Sequence, residues 1–265
     1  MSKNSPTAWK LLTSNGQFGW LLAGNTAMFF GFFSTLLLRS LLAWELTGDE
    51  MALAYINLVA ALCMFASSLV AGVIIDRFER RRLIMVAQLI VVVAETAVLG
   101  LLLLDQLSFT ALIASAVAAS IAFPFIMPSR TAMLVDAVGY GPLSRANALI
   151  GGGVNVARMA SPAALGFIID ANGFVLGYLL LLSLHILSLG CTVALRDYPA
   201  KGGSDHRFWQ EFSDGFRYIA SRGSLAMAIV FGLLPMLVVV PLQNLMVIFV
   251  DEIWGQRERE RERER

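Results

Sequence analysis

The chain has 265 residues, of which 57% are hydrophobic and only 15% charged, with a mean hydropathy of +0.71. Ordinary soluble domains carry roughly 25% charged residues, so the composition excludes that class and describes a protein built for lipid. The formal net charge of +1 gives no signal for nucleic acid or another acidic partner, and the information lies in where the charges fall.

The N-terminal stretch MSKNSPTAWKLLTSNGQ is polar and carries Lys3 and Lys10. The apolar run after it is about as long as a membrane crossing and has no small-residue cleavage site, which predicts a retained first helix rather than a signal peptide. A crossing takes about 20 mostly apolar residues for a hydrocarbon core of about 30 Å. Seven stretches qualify: Phe18 to Ala43, Ala52 to Ile75, Leu83 to Leu104, Phe109 to Met127, Ala146 to Ile169, Phe174 to Leu195 and Leu225 to Val250.

Between the second and third stretches, AGVIIDRFERRRL packs Asp76, Arg77, Arg80, Arg81 and Arg82 into a gap too short for a soluble element. Arginine-rich short loops stay in the cytoplasm. With the N-terminus inside, the inner segments hold Lys3, Lys10, those four arginines, Arg130, Arg145, Arg196, Lys201, Arg207, Arg217 and Arg222. The outer loops near Glu45, Asp49, Glu50, Asp105 and Asp170 hold no Lys or Arg. This one-sided split predicts a multi-pass protein of the cell (inner) membrane with a cytoplasmic N-terminus.

After the sixth crossing, a longer cytoplasmic segment runs from Arg196 to Arg222. Phe208, Phe212, Phe216 and Ile219 recur there at helical spacing beside Trp209, with Asp205 as a possible cap. The pattern predicts an amphipathic helix on the inner membrane face, against a plain linker as the alternative. From Arg257 to Arg265, Arg and Glu alternate without interruption; this low-complexity tail reads as a truncation artefact and is set apart from the fold.

The loop GVIIDRFERRR resembles the signature between the second and third helices of the major facilitator superfamily: Gly72, three apolar residues, Asp76, Arg77, then Arg80 and Arg81. Glu79 stands where that family has Gly. Further segments are similar to the branch containing bacterial siderophore exporters and macrolide efflux pumps. They are RSLLAWELTG (Arg39 to Gly48), AFPFIMPSRTAMLVD (Ala122 to Asp136), RANALIGGGVNVARMASPAALG (Arg145 to Gly166), DGFRYI (Asp214 to Ile219) and PLQNLMVIFVDEIWG (Pro241 to Gly255).

The resemblance implies an all-α integral membrane fold: an N-terminal six-helix bundle (1–195), a cytoplasmic linker (196–224) and a seventh transmembrane helix (225–255) that starts a C-terminal bundle, followed by the tail (256–265). In this family two six-helix bundles rock about a central site, so the missing C-terminal helices would be the main packing partner. The implied function is secondary active transport, namely proton-driven efflux of a small amphipathic molecule by a protein whose partners are the lipid bilayer, its substrate and protons. The alternative is a truncated, non-transporting membrane fragment acting as a binding or assembly module.

The resemblance also casts Gly72, Asp76, Arg77, Arg80 and Arg81 as a conformational latch. In it, Asp76 accepts hydrogen bonds from the loop arginines and a facing helix terminus in one state and releases them in the other. Charged hydrogen bonds are worth about 1.5 to 3 kcal/mol each, enough to bias a two-state equilibrium. The other reading is plain topology, with arginines facing anionic lipid at about 1 kcal/mol each.

Glu95 lies about 18 Å into the third crossing at 1.5 Å per residue, with Gln88 on the same face. A carboxyl at that depth is a proton-coupling acid or a neutral hydrogen-bonding glue. Arg158 lies at a similar depth in the fifth crossing. At 100 degrees per residue, Gly151, Asn155, Arg158 and Pro162 share a stripe expected to line a polar cavity. Gly153, Ala157, Ser161 and Ala164 form a small-residue stripe that lets another helix approach. SPAALG, from Ser161 to Gly166, resembles an antiporter motif of the fifth helix and adds Pro162 and Gly166 to the packing set. Equal depth makes a Glu95–Arg158 pair tempting, although the family arrangement does not make those helices neighbours.

Arg39 shares a face with Asn25 but lies near the outer end of its crossing, and is expected to snorkel to the outer interface. His185 among leucines is expected to be a satisfied structural residue. Cys63 and Cys191 form neither a disulfide framework nor a metal spacing. The GGG from Gly151 lies inside a crossing with no Lys-Ser/Thr after it, so it is not a phosphate-cradling loop. No nucleophile or paired metal-ligand motif stands out, and no enzyme, metal or cofactor chemistry is predicted.

Overall fold

The computed structural model describes residues 15–197, together with Arg217, Tyr218, 221–224, Met227 and Phe231. The chain divides into two compact units, Met1–Ser204 and Asp205–Arg265. The first contains α1 (Gly16–Thr47), α2 (Glu50–Arg77), α3 (Arg80–Leu103), α4 (Phe109–Val138) and α5 (Leu143–Val193). Each is long and apolar enough to cross a membrane. The apolar residues expected to form the linker helix, the seventh crossing beyond Phe231 and the Arg/Glu tail lie outside the described residues.

Local chemistry sets the helix ends. The Asn15 side chain accepts from Phe18 N and donates to the Ala137 carbonyl at 2.8 Å, tying the start of α1 to the end of α4. Gly48, at φ 63°, closes α1 by donating to the Trp44 carbonyl, a left-handed cap that suits glycine. Asp49 and Ser108 cap α2 and α4 through their side chains. Between α2 and α3 the chain turns at Phe78 and Glu79 with φ of −104° and −60°. Neither angle requires glycine, so Glu79 is accommodated there and pairs with Arg82 at 2.5 Å.

One expected crossing differs in extent. The fourth was expected to stop at Met127, but α4 runs on to Val138 through Pro124 and Pro128. Pro124 has no N–H for the Ser120 carbonyl one turn back, and the Ser67 hydroxyl of α2 donates to that carbonyl instead, at 3.4 Å. The fifth and sixth crossings follow one another directly, as the two limbs of the segment labelled α5, and the chain turns between them at Gly173, whose φ of 78° and ψ of 178° only glycine adopts readily. Its limbs are 143–172 and 174–193.

α1 packs chiefly on both limbs of α5, α2 on α4, and α3 on α4 and α5. Close approaches need glycine. A Cβ on Gly24 would lie 2.8 Å from the Cβ of Cys191, one on Gly31 2.8 Å from the His185 ring, and one on Gly153 2.4 Å from Thr26 Oγ1. In lipid, where apolar surface gives little drive for helices to associate, such close van der Waals contact holds the bundle.

The buried apolar residues form two cores. One includes Phe18, Met28, Ile84, Val91, Ala122, Met133, Ala157 and Leu195; the other includes Leu38, Leu42, Val98, Leu112, Leu165, Tyr178 and Leu181. Along α1, α3 and both limbs of α5 a buried polar residue falls between the two: Ser34 and Thr35 on α1, Glu95 on α3, Ser161 and His185 on the limbs of α5. Trp20 and Trp44 are both half exposed and about 36 Å apart along α1 at 1.5 Å per residue, the spacing of two interfacial aromatic belts.

Candidate functional site

The polar layer between the cores is held by one ion pair. Arg39 Nη2 of α1 donates to Glu95 Oε1 of α3 at 2.5 Å and to the Ser115 carbonyl of α4 at 3.1 Å. Glu95 is wholly buried and Arg39 is 7% exposed, so Arg39 does not snorkel to the outer interface. The reason is depth: Arg39 and Glu95 both lie about 12 Å inside the outer ends of their helices at 1.5 Å per residue, and a guanidinium beside a desolvated carboxylate gains more by pairing than by reaching for water. Glu95 Oε2 and the Tyr178 hydroxyl have no hydrogen-bond partner among the described residues.

His185 is buried, with Nε2 3.4 Å from Thr35 Oγ1 and its ring against Gly31. Beside it, Ser34 and Ser161 hydroxyls bridge α1 and α5 at 2.7 Å, and Ser161 also donates to the Phe30 carbonyl. Ala157 and Ser161 are buried against α1, and Gly153 faces Thr26. Ala164 is exposed, Pro162 and Gly166 are half-buried, and a Cβ on Gly166 would meet open space.

Asn155 and Arg158 sit on the exposed side of the first limb of α5. Arg158 does not approach Glu95; its guanidinium lies over the Phe33 ring, 5.5 Å from the centroid. Phe33 belongs to a cluster with Phe29, Phe32 and Phe123, in which Phe32 and Phe123 stack at 4.4 Å.

A second buried cation was read from the sequence as part of an inner loop. Arg130 is 4% exposed and inside α4, donating to Ser188 Oγ and Thr192 Oγ1, each at 3.1 Å. Ser188 donates in turn to the Gly24 carbonyl and accepts from Gln88 Nε2, both at 2.7 Å. Gln88 therefore belongs to this network rather than to that of Glu95. The signal that could have found it is the pair Ser188 and Thr192, one helical turn apart on an otherwise apolar crossing.

The residues of the expected latch lie at the α2–α3 turn. Asp76 and Gly72 are exposed, and the ion pairs of Arg80, Arg81 and Arg82 are made with other acids. Arg80, at the first turn of α3, points into the bundle and pairs with Asp136 of α4 at 2.5 Å. Arg81 donates to the Thr192 and Val193 carbonyls, at 3.4 and 2.6 Å, and pairs with Asp197. That bond with Arg81 holds the Asp197 carboxyl below the usual carboxylate range. Among the described residues no group of three or more His, Cys, Asp or Glu could hold a metal ion.

Comparison with known proteins follows the same lines. The family model described as transmembrane secretion effector matches residues 7–253. Comparison with curated proteins gives no match. Among solved structures, the chain is similar to a mutant of the peptide transporter POT in complex with alafosfalin (TM-score 0.59, 17% identity, 94% of this chain and 55% of that one). It is also similar to peptide transporter POT in complex with sulfate (0.61, 16%, 94% and 55%), and to a POT family transporter in complex with thioalcohol conjugated peptide (0.58, 16%, 83% and 46%). The chain thus spans about half the length of these transporters, and at such identities the likeness shows the fold. With a helical bundle, a family model covering nearly its whole length and neighbours of one fold, the chain belongs to the transmembrane secretion effector family and is a multi-pass helical membrane protein with the fold of those transporters.

Proposed function

We propose that the chain supplies the first bundle, linker and seventh helix of a proton-driven exporter of small amphipathic molecules, with its N-terminus in the cytoplasm. The observation that carries this is the Arg39–Glu95 pair, sealed at mid-membrane between two apolar cores. An intramembrane carboxylate is expensive unless paired. A proton on Glu95 cancels its charge and removes what holds Arg39, so protonation changes the contact between α1 and α3, two helices that alternating access must move relative to other parts of the transporter. Among the described residues Glu95 Oε2 has no hydrogen-bond partner, which leaves a lone pair for the proton. The Arg80–Asp136 and Arg81–Asp197 pairs support an inner-face latch built from the Asp76–Arg82 loop and the start of the linker.

The test is Glu95→Gln against Glu95→Asp in the complete transporter, with proton and substrate flux followed in proteoliposomes. Coupling requires a titratable acid, so the Gln variant should lose proton-driven efflux while inserting normally, and the Asp variant should retain part of it. Undiminished coupling in the Gln variant would refute the role of Glu95. The chain alone, reconstituted in liposomes, should show no gradient-driven flux.

A further inference from the structure

We propose that the face where α1, α4 and the first limb of α5 meet is a binding site for a small aromatic anion, formed by Phe32, Phe33, Phe123, Asn155 and Arg158. This gives the substrate class of the transporter proposed above and rests on that reading for its physiological meaning. Binding itself is testable without transport.

Three observations carry it. The first is that the phenylalanines form a slab at the surface of the bundle. Phe32 stacks on Phe123 at 4.4 Å, Phe33 meets Phe32 edge-on at 5.5 Å, and all three remain partly exposed, with Phe29 buried behind them. Slabs of this kind favour a flat apolar body, since offset or edge-on ring pairs add about 0.5 to 1.5 kcal/mol beyond the area they bury.

The second is that Arg158 lies over one edge of the slab, its charge resting on the Phe33 ring and its side chain exposed. Among the described residues no carboxylate pairs with it. Every acid on the neighbouring elements is engaged or distant. Glu95 is sealed and held by Arg39, and Asp136 is held by Arg80. Glu45 and Asp170 lie near the outer helix ends, each about 18 Å along its helix from Phe33 or Arg158 at 1.5 Å per residue. Among the described residues the face therefore carries an uncompensated positive charge, which attracts an anion and repels a cation. A guanidinium fork also matches a carboxylate with two parallel hydrogen bonds.

The third is Asn155, one turn before Arg158 on the same exposed side, which offers both a donor and an acceptor beside the charged group. An aromatic carboxylate or phenolate would lay its ring on Phe32 and Phe33 and its oxygens between Arg158 and Asn155.

The test uses the purified chain in nanodiscs of zwitterionic lipid, titrated with 1-naphthoate by calorimetry and, in parallel, with 1-naphthylmethylammonium, which has the same ring and the opposite charge. Naphthoate should bind saturably and the ammonium should not compete. Arg158→Gln should weaken naphthoate binding about tenfold or more, the worth of a charge-assisted hydrogen bond. Phe33→Leu should weaken it while keeping the preference for the anion, and unchanged melting of both variants would show that the bundle is intact. Absence of saturable naphthoate binding, equal binding of the two ions, or an unaffected Arg158→Gln chain would each overturn the proposal. None of these outcomes bears on proton coupling through Glu95, whose failure would show only in the flux measurement.

Discussion

Arg39 and Glu95 stand 56 positions apart in the chain and 2.5 Å apart in the fold, joining α1 to α3 with no water-facing edge. Removing one partner of such a buried pair leaves an uncompensated charge, which costs about 3 to 5 kcal/mol, whereas removing both is often close to neutral. Arg39→Met should therefore destabilise the bundle strongly, and Arg39→Met combined with Glu95→Leu should recover most of the loss. Chemical unfolding of the single and double variants in the same bilayer mimic measures both.

Glycine contacts should differ in whether a neighbour can yield. The Cβ added by Gly24→Ala meets the Cβ of Cys191, which is fixed to the backbone, so α1 and the second limb of α5 must separate. Such overpacking costs about 1 to 3 kcal/mol, and Cys191→Ala should not relieve it. At Gly153 the clash is with Thr26 Oγ1 alone, and Thr26→Ala should rescue most of the loss caused by Gly153→Ala. Thermal unfolding of the four combinations reads this out.

The contact between the start of α3 and Asp197 should depend on pH. The Asp197 carboxyl is held below its ordinary range, first by its hydrogen bond with Arg81. A depressed carboxyl contributes stability that is present above the unfolded pKa and lost as pH falls through the folded one. The stability gap between the unsubstituted chain and Asp197→Asn should thus be present at neutral pH and close on acidification below the usual carboxylate range. A gap that persisted into acid would assign it to another cause.

Asp76 and Asp136 should behave oppositely despite belonging to one basic cluster. Asp76 is exposed, so Asp76→Cys should react readily with an impermeant thiol reagent applied to inside-out vesicles and not from outside intact cells. Asp136→Asn, by contrast, removes the partner of a mostly buried Arg80 and should couple to Arg80→Gln in a double-mutant cycle. Labelling of Asp76→Cys from outside would overturn the cytoplasmic placement of the loop.

Much of the helical architecture was legible because a crossing is a long apolar run with charges at its borders. Helical spacing grouped Gly153, Ala157, Ser161 and Ala164 in one stripe, but spacing does not say how far along it the neighbouring helix reaches, and Ala164 is exposed. Charges inside the bundle were harder to place. Arg130 follows two prolines and a serine, a local pattern that reads as loop, and only its distant acceptors Ser188 and Thr192 make it an interior residue. Arg39 was misplaced for a related reason: nearness to a helix end is visible in one segment, but the cation that Glu95 needs at matching depth is a relation between two segments. The latch loop shows the same limit, since the signature picks out Asp76 and the arginines without saying that Arg80 and Arg81 would turn to Asp136 and Asp197.

The tryptophans at the two ends of α1 set a preferred bilayer thickness. In a thinner membrane α1 would have to tilt to keep both rings at the headgroups, because mismatch of this kind is relieved by tilting at a fraction of a kcal/mol per Å. Bonds from Asn15 to the end of α4 and from Arg39 to α3 mean that it cannot lean alone. Lipid acyl-chain length is thereby coupled to the angle of the whole helical array, and so to the ionic contact at its centre.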